Sequence, residues 1–348
     1  MPSSPSPLRL GVLGCANIAR TFVRDVAASP QVRVVAAASR DATKAAAFAR
    51  EFAIPRHHGS YGALLADTEV DAVYIPLPNT MHATWAMAAA RAGKHVLCEK
   101  PLAVSRAEAV AMFAAAREAG VMLLEAYPYW FQPQTGDLVR LLRQGAIGEV
   151  RYVHAAFGFT IAQPVGNIRM SSDLGGGALL DAGSYPLSLV RLVTGEAPER
   201  VRADARWAPT GVDISMAATL HYADGRHAHI ECAMDVAMHR RALIVGSGGV
   251  IETEYLNHTS EVAGGNAWGH LPGQMRVRRA ATPVPFEELR SPCGSGFRFA
   301  AEAFAEVVAR RDFAAIERAA AASIDIAATL EALAMSARQR REVAVERG

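Results

Sequence analysis

The chain has 348 residues, 51% hydrophobic and 20% charged, with 36 basic against 34 acidic side chains for a net charge of +2. At roughly 150 residues per domain that length corresponds to about two domains, each large enough for its own core. The charge balance, with no long Lys/Arg block, excludes a polybasic nucleic-acid binder, and the composition excludes disorder and collagen-like repeats.

Short apolar strands alternate with alanine-rich helices from the start of the chain. Leu8 to Leu13, Val32 to Ala38, Asp71 to Ile75, His95 to Cys98 and Val121 to Glu125 read as strands. Ile18 to Ala28, Ala42 to Phe52, His82 to Ala92 and Arg106 to Ala119 read as the helices between them. Continuous apolar strands separated by helices predict a parallel sheet covered on both faces, an α/β domain over residues 1–125. Beyond it the pattern changes. After a helix from Thr135 to Arg143 come longer alternating runs: Val150 to Phe159, Val201 to Arg206, Ile214 to Tyr222, His227 to Met234, Ala242 to Val245, Val250 to Tyr255 and Met275 to Arg279. Ala223-Asp224-Gly225 marks a hairpin turn between two of them. These runs predict an α+β domain over residues 126–348 with a large, open, mostly antiparallel sheet. Helices from Phe297 to Arg310 and Ala319 to Arg340 close the chain, the last either returning to the first domain or covering the second.

The first strand runs into Gly14-Cys15-Ala16-Asn17-Ile18-Ala19, a variant of the G-x-G-x-x-G/A dinucleotide fingerprint. Gly14 suits the tight turn, Ala16 is small enough for pyrophosphate to approach, and Ala19 permits close helix–strand packing. The backbone N–H groups around Asn17 and Ile18 open the next helix and suit a phosphate. The second strand ends in Ser39-Arg40-Asp41. An NAD site places an acid about 20 residues past the fingerprint. Here Ser39 stands at that count, with Arg40 next, and a hydroxyl plus a guanidinium suit a 2′-phosphate. NADP is therefore expected, with NAD a second option because Asp41 could face a ribose or cap the next helix. Pro76-Leu77-Pro78-Asn79 ends the third strand, where open α/β sheets bind ligands. Pro76, Leu77 and Asn79 join the candidate cofactor set, with His82, whose other reading is a helix cap or a solvated surface. Cys98-Glu99-Lys100-Pro101 ends the fourth strand, a poor place for a merely solubilising lysine. Lys94 fits that bland role better.

Together these blocks resemble the Gfo/Idh/MocA oxidoreductase family. The resemblance rests on Gly14 to Ala19, on Pro76 to Asn79 with His82, and on Ala92-Gly93-Lys94-His95-Val96-Leu97-Cys98-Glu99-Lys100-Pro101. It continues through Gly145-Ala146-Ile147-Gly148 and Gly175 to Pro186. It implies a Rossmann domain plus an α/β domain, and reversible hydride transfer on sugars, polyols or dihydrodiols. A nucleotide-sugar ketoreductase and a non-catalytic NADP-sensing regulator are the alternatives. The resemblance places the acid/base residue at Tyr185, with Lys100 as the assisting cation and Asp181 orienting substrate or Lys100. A free phenol titrates near about 10, so base chemistry near neutrality calls for such a cation. It also adds Glu99 and Gln134 to the cofactor set. Tyr127, Trp130 and Arg169 become substrate-pocket candidates, with domain packing or a solvated surface as the other readings. Relatives commonly carry Arg where Trp130 stands and His where Gln132 stands.

Cys15, Cys98, Cys232 and Cys293 form no C-x-x-C pair, so no metal or redox motif is expected, and their scarcity suits a reducing cytoplasm. The polar, Pro-rich start from Met1 to Pro7 is unlike a secretory leader, and no uninterrupted apolar run spans a bilayer. No nucleic-acid or membrane partner is expected. An open, apolar sheet face would favour a homodimer or homotetramer.

Overall fold

A computed structural model describes residues 6–347. The opening Met1 to Pro5, part of the stretch used to judge a leader, lies outside the described residues. The chain divides into two compact units. One comprises residues 1–103, 107–128 and 295–321; the other comprises 104–106, 129–294 and 322–348.

The first unit begins β1 (Leu8–Leu13), α1 (Asn17–Val26), β2 (Val32–Ala38), α2 (Ala42–Glu51), β3 (Arg56–His58) and α3 (Tyr61–Leu65). It continues β4 (Ala72–Ile75), α4 (His82–Arg91), β5 (His95–Glu99), α5 (Arg106–Ala119) and β6 (Leu123–Ala126). The six strands form one parallel sheet in the order β3-β2-β1-β4-β5-β6, as the continuous apolar runs imply. The strand order reverses direction between β1 and β4, the crevice at which such sheets bind ligands. α1 buries Ala19, Phe22, Val23 and Val26 at helical spacing. Phe22 stacks on Tyr74 of β4 with ring centroids 3.8 Å apart. The three-residue β3 and five-residue α3 were not foreseen, being too short to show a period.

The second unit holds α6 (Pro133–Arg143), β7 (Val150–Thr160), a π-helical turn at Leu179–Gly183, and α7 (Ser184–Thr194). Strands β8 (Arg200–Trp207), β9 (Asp213–His221), β10 (His227–Ala233), β11 (Asp235–Gly246), β12 (Val250–Thr253), β13 (Met275–Arg278) and β14 (Glu287–Leu289) follow. Next come α8 (Gly296–Arg310), α9 (Phe313–Gln339) and β15 (Val343–Ala344). Nine strands form one sheet, β14-β13-β12-β11-β7-β10-β9-β8-β15. It is antiparallel except where β7 pairs with β10 in parallel. Its covered face packs Val153, Ala155, Ala228, Ile230, Cys232 and Ile244 under α7 and the π-helical turn.

Two expectations change. The expected boundary at residue 125 gives way to a discontinuous division, because α8 packs on α1 and the parallel sheet, with Phe297 edge-on to Phe22 at 5.6 Å. The open sheet face is mixed rather than apolar: Arg202, Asp204, His154, His229, Glu231, Arg241 and Arg276 stand among Tyr152, Ala156 and Leu243 around its shallow hollows. The 27-residue α9 is long and apolar enough on average to cross a membrane, but Glu317, Arg318, Asp325 and Glu331 interrupt its apolar run and more than half of its apolar window is buried within the protein.

Candidate active site

In the first unit the candidate cofactor residues collect at the carboxyl ends of β1, β2, β4 and β5. Gly14 adopts φ +128°, and a Cβ there would lie 2.7 Å from Leu77 Cδ2. Only glycine serves at a turn with that backbone and that neighbour. Its amide donates to the Ala38 carbonyl at 3.0 Å, which ties the β1 turn to the end of β2. Ala16 precedes α1 without a side-chain cap, while Asn17 and Ile18 are exposed. The first-turn N–H groups of α1 are thus uncapped by Ala16, which suits a pyrophosphate. After β2, Ser39 is buried and its Oγ accepts from the Asp41 amide at 3.2 Å. Asp41 caps α2, its Oδ1 accepting from Thr43 N at 2.8 Å and Lys44 N at 3.2 Å. Arg40 is exposed, and burial pushes the phenol of nearby Tyr61 up. The carboxylate at this strand end serves a helix and the neighbouring cation stands outward, an arrangement that fits a 2′-phosphate better than a bare ribose. Pro76 and Leu77 are buried beside the Gly14 turn and Asn79 opens a single 3-10 turn.

Several residues have internal roles where ligand contacts were expected. His82 is fully buried, its Nδ1 2.9 Å from the Pro101 carbonyl and its Nε2 2.8 Å from the Leu77 carbonyl. It is neither a cofactor contact nor a solvated cap; it straps the β4 turn to the segment after Lys100. Burial lowers its pKa, outweighing the two carbonyls, which raise it. Glu99 is also buried, accepting from the Tyr74 hydroxyl at 2.6 Å and from the Lys100 amide at 3.2 Å. It fixes the strand end that carries Lys100. Tyr127 is 0% exposed, a core aromatic and not a substrate wall. Lys94 is not solubilising: its Nζ donates to the carbonyls of Asp67 at 2.8 Å and Val70 at 2.7 Å. Lys100 itself is half-buried at the end of β5.

In the second unit Tyr185 stands in the first turn of α7 and is 5% exposed. The glycine run before it works by close approach. Gly177 has φ +115°, and a Cβ there would overlap the Asp213 carboxylate. That carboxylate accepts from Leu179 N at 2.6 Å and so caps the π-helical turn, while burial pushes its pKa up. Asp181, in the same turn, accepts from Arg169 Nε at 2.5 Å. These two candidates, expected separately, form one ion pair, and the Arg169 guanidinium also lies 5.9 Å from the Phe159 ring.

Around Tyr185 is a cage of residues that sequence reasoning missed. Phe157 meets its ring edge-on at 5.4 Å and Tyr129 lies 6.0 Å away. Arg240 lies 4.3 Å from the Tyr185 centroid and 3.9 Å from that of Phe157. Arg240 Nη1 donates to Asn257 Oδ1 at 3.0 Å, and Asn257 Nδ2 donates to the Tyr185 hydroxyl at 3.0 Å. Trp130 Nε1 donates to the Tyr129 hydroxyl at 2.8 Å, and the indole lines a hollow with Thr135, Val139 and Leu192. Gln134 is buried, its Nε2 donating to Thr253 Oγ1 at 2.9 Å and the Glu254 carbonyl at 2.6 Å. That amide nitrogen is committed within this unit. A usable signal did exist for Arg240: it sits in phase with the inward Ala242 and Ile244 of β11, a charged residue on the covered face of an alternating strand.

A family model for an oxidoreductase family with an NAD-binding Rossmann fold matches residues 8–127, and a GFO/IDH/MocA C-terminal domain model matches residues 137–252. The NADP-dependent D-xylose 1-dehydrogenase 2 of Haloferax volcanii is 42% identical over 66% of this chain and 70% of its own. A dTDP-3,4-didehydro-2,6-dideoxy-alpha-D-glucose 3-reductase of Streptomyces violaceoruber is 39% identical over 93% of this chain and 92% of its own. The crystal structure of a 3-ketoreductase from Actinomadura kijaniata, in complex with NADP and TDP-benzene, is 32% identical with a TM-score of 0.82, over 95% of this chain and 98% of that one. With both of its domains matched and relatives alike in sequence and fold, this chain belongs to the Gfo/Idh/MocA family of oxidoreductases.

Proposed function

We propose that this chain is an NADP-dependent oxidoreductase that transfers a hydride between nicotinamide and a carbinol or carbonyl carbon of a sugar, polyol or dihydrodiol. The observation that carries this reading is the Tyr185 hydroxyl, which accepts from Asn257 beside the Arg240 cation. A phenol whose oxygen receives a donor and whose ring faces a cation is prepared to lose and regain a proton. Bound nicotinamide would supply or take up the hydride. Tyr185 gives or takes the proton of the substrate hydroxyl. Lys100, at the end of β5, stabilises negative charge on the reacting oxygen. Asp181, ion-paired with Arg169, orients polar substrate groups. Arg40 and Ser39 select the 2′-phosphate, while Gly14, Ala16, Asn17 and Ile18 receive the pyrophosphate.

A narrower second reading, a nucleotide-sugar ketoreductase, is favoured by the similarity to the Streptomyces reductase over nearly the whole of both chains. Assaying NADP+ reduction with sugars, inositols and dihydrodiols, beside NADPH oxidation with keto-sugars and nucleotide-linked keto-sugars, separates the two. Turnover of free sugars or diols supports the first reading, and turnover confined to nucleotide-linked ketones supports the second. Tight NADPH binding with no turnover across the panel would instead point to a sensing regulator and overturn both.

A further inference from the structure

We infer that Arg240 is a positioning residue for the acid/base step, acting on Tyr185 through the side-chain amide of Asn257. The inference rests on the reading of Tyr185 as the acid/base and deepens it. A guanidinium has donors only, so the atom of Asn257 that faces Arg240 Nη1 at 3.0 Å is the amide oxygen. That contact orients the amide, and the amide NH2 is then turned to the Tyr185 hydroxyl at 3.0 Å. Tyr185 must accept from Asn257, so its own O–H is directed to another acceptor, which is the geometry a proton donor to substrate requires. When the proton leaves, the same Asn257 N–H stabilises the phenolate, and the Arg240 guanidinium, 4.3 Å from the ring centroid, adds a positive charge beside it.

Each member of this relay is itself held. Arg240 Nη1 also reaches the Tyr255 carbonyl at 3.3 Å, and its guanidinium lies against Phe157 and Tyr185. Gln132 Nε2 donates to the backbone carbonyls of Asn257 at 2.8 Å and Gly294 at 2.9 Å, fixing the segment that carries the amide. Ser188, Tyr129 and Tyr255, close to the ring, have partners of their own. Ser188 Oγ donates to the Tyr185 carbonyl at 2.8 Å, so at its 2.7 Å contact with the Tyr129 hydroxyl it accepts. Tyr129 thus donates to Ser188 and accepts from Trp130 Nε1. Tyr255 donates to the Ala156 carbonyl at 2.8 Å. Burial pushes both of these phenols up. Asp181, one turn before Tyr185, is paired with Arg169. Of the three clustered tyrosines, Tyr185 has both the cation at its ring and an amide donor at its oxygen.

The test compares Arg240→Met, Arg240→Lys, Asn257→Leu and Tyr185→Phe on the full-length protein. The first readout is the pH profile of kcat/KM with the best substrate from the panel. The second, independent of turnover, is the pH titration of the 13Cζ tyrosine resonance that disappears in Tyr185→Phe. Arg240→Met should lower kcat/KM near neutrality about tenfold or more, with recovery toward alkaline pH, and move the resonance's titration upward by about half a unit or more. Asn257→Leu should do the same, and Arg240→Lys should restore much of the shift. A loss in Arg240→Met and Asn257→Leu that is equal at every pH, or an unmoved titration in either, overturns the positioning role. Wild-type activity in Tyr185→Phe overturns instead the reading on which it rests, while leaving the titration result to stand by itself. If Arg240→Met does not fold, Asn257→Leu decides alone.

Discussion

The two candidate surfaces in this chain are built by opposite means. At the ends of the parallel strands, backbone does most of the work. Gly14 supplies an unusual φ, uncapped amides open α1, and the polar residues His82 and Glu99 turn inward to hold main-chain groups. Around Tyr185, side chains do it: an arginine, an amide and aromatic rings meet from β7, β11, α7 and the segment after β12. The first construction suits a ligand common to many enzymes, since backbone amides recognise phosphate whatever else the ligand carries. The second suits a reacting group, because charge and hydrogen bonds can be tuned around a single oxygen.

The contrast can be broken most directly at the chemistry. Tyr185→Phe and Lys100→Met should each lower kcat by about 10²–10⁴-fold, the range of general acid/base and charge-stabilising groups, with NADPH binding retained by fluorescence titration. Either variant turning over at near the wild-type rate would remove that residue from the mechanism. Next in size is cofactor choice. Arg40→Ala should weaken NADP(H) binding about ten- to a hundredfold, the scale of lost hydrogen bonds to a charged group, and leave NAD(H) nearly unchanged. Equal losses for both cofactors would mean that Arg40 does not read a 2′-phosphate. Third, Gly177→Ala should destabilise the second unit by more than about 1–2 kcal/mol, since alanine resists a positive φ and its Cβ would displace the Asp213 cap. Chemical denaturation followed by near-UV circular dichroism measures this.

The smallest effect sharpens the backbone side of the comparison. Burial lowers the His82 pKa below its ordinary 6.5. The neutral ring is therefore favoured in the folded state, and its contribution to stability is present above about 6.5. As pH falls below that value the unfolded chain takes up a proton that the folded chain refuses. Stability should then drop by up to about 1.4 kcal/mol per pH unit, until the lowered folded value is passed. His82→Gln should flatten this dependence in urea titrations between about pH 5 and 7. A variant with the wild-type slope would assign the acid sensitivity to another group.

The parallel sheet and its turns were legible because each signal is contiguous: an apolar strand, a small-residue turn, a helix. The Glu99-Lys100-Pro101 block and Gly175 to Pro186 were legible for the same reason, through the resemblance they carry. Asn257 was not, because its partners Tyr185 and Gln132 lie 72 and 125 residues away in the chain. Arg240 was missed by a boundary: the strand was read from Ala242, whereas β11 begins at Asp235, and the in-phase arginine fell outside the alternating run. His82 and Glu99 show the converse limit. A polar residue beside a ligand motif looks like a ligand contact, yet buried main-chain carbonyls and amides near a tight turn need partners too.

The amide of Gln132 has an evolutionary corollary. From one nitrogen it serves two carbonyls, those of Asn257 and Gly294, and an imidazole offers only one N–H per nitrogen. A descendant that exchanged Gln132 for a neutral histidine would release one of those carbonyls, and with it the segment that aims Asn257 at Tyr185. Positions 132, 240 and 257 should accordingly be inherited as a set, so that lineages keeping this glutamine also keep the arginine and the asparagine.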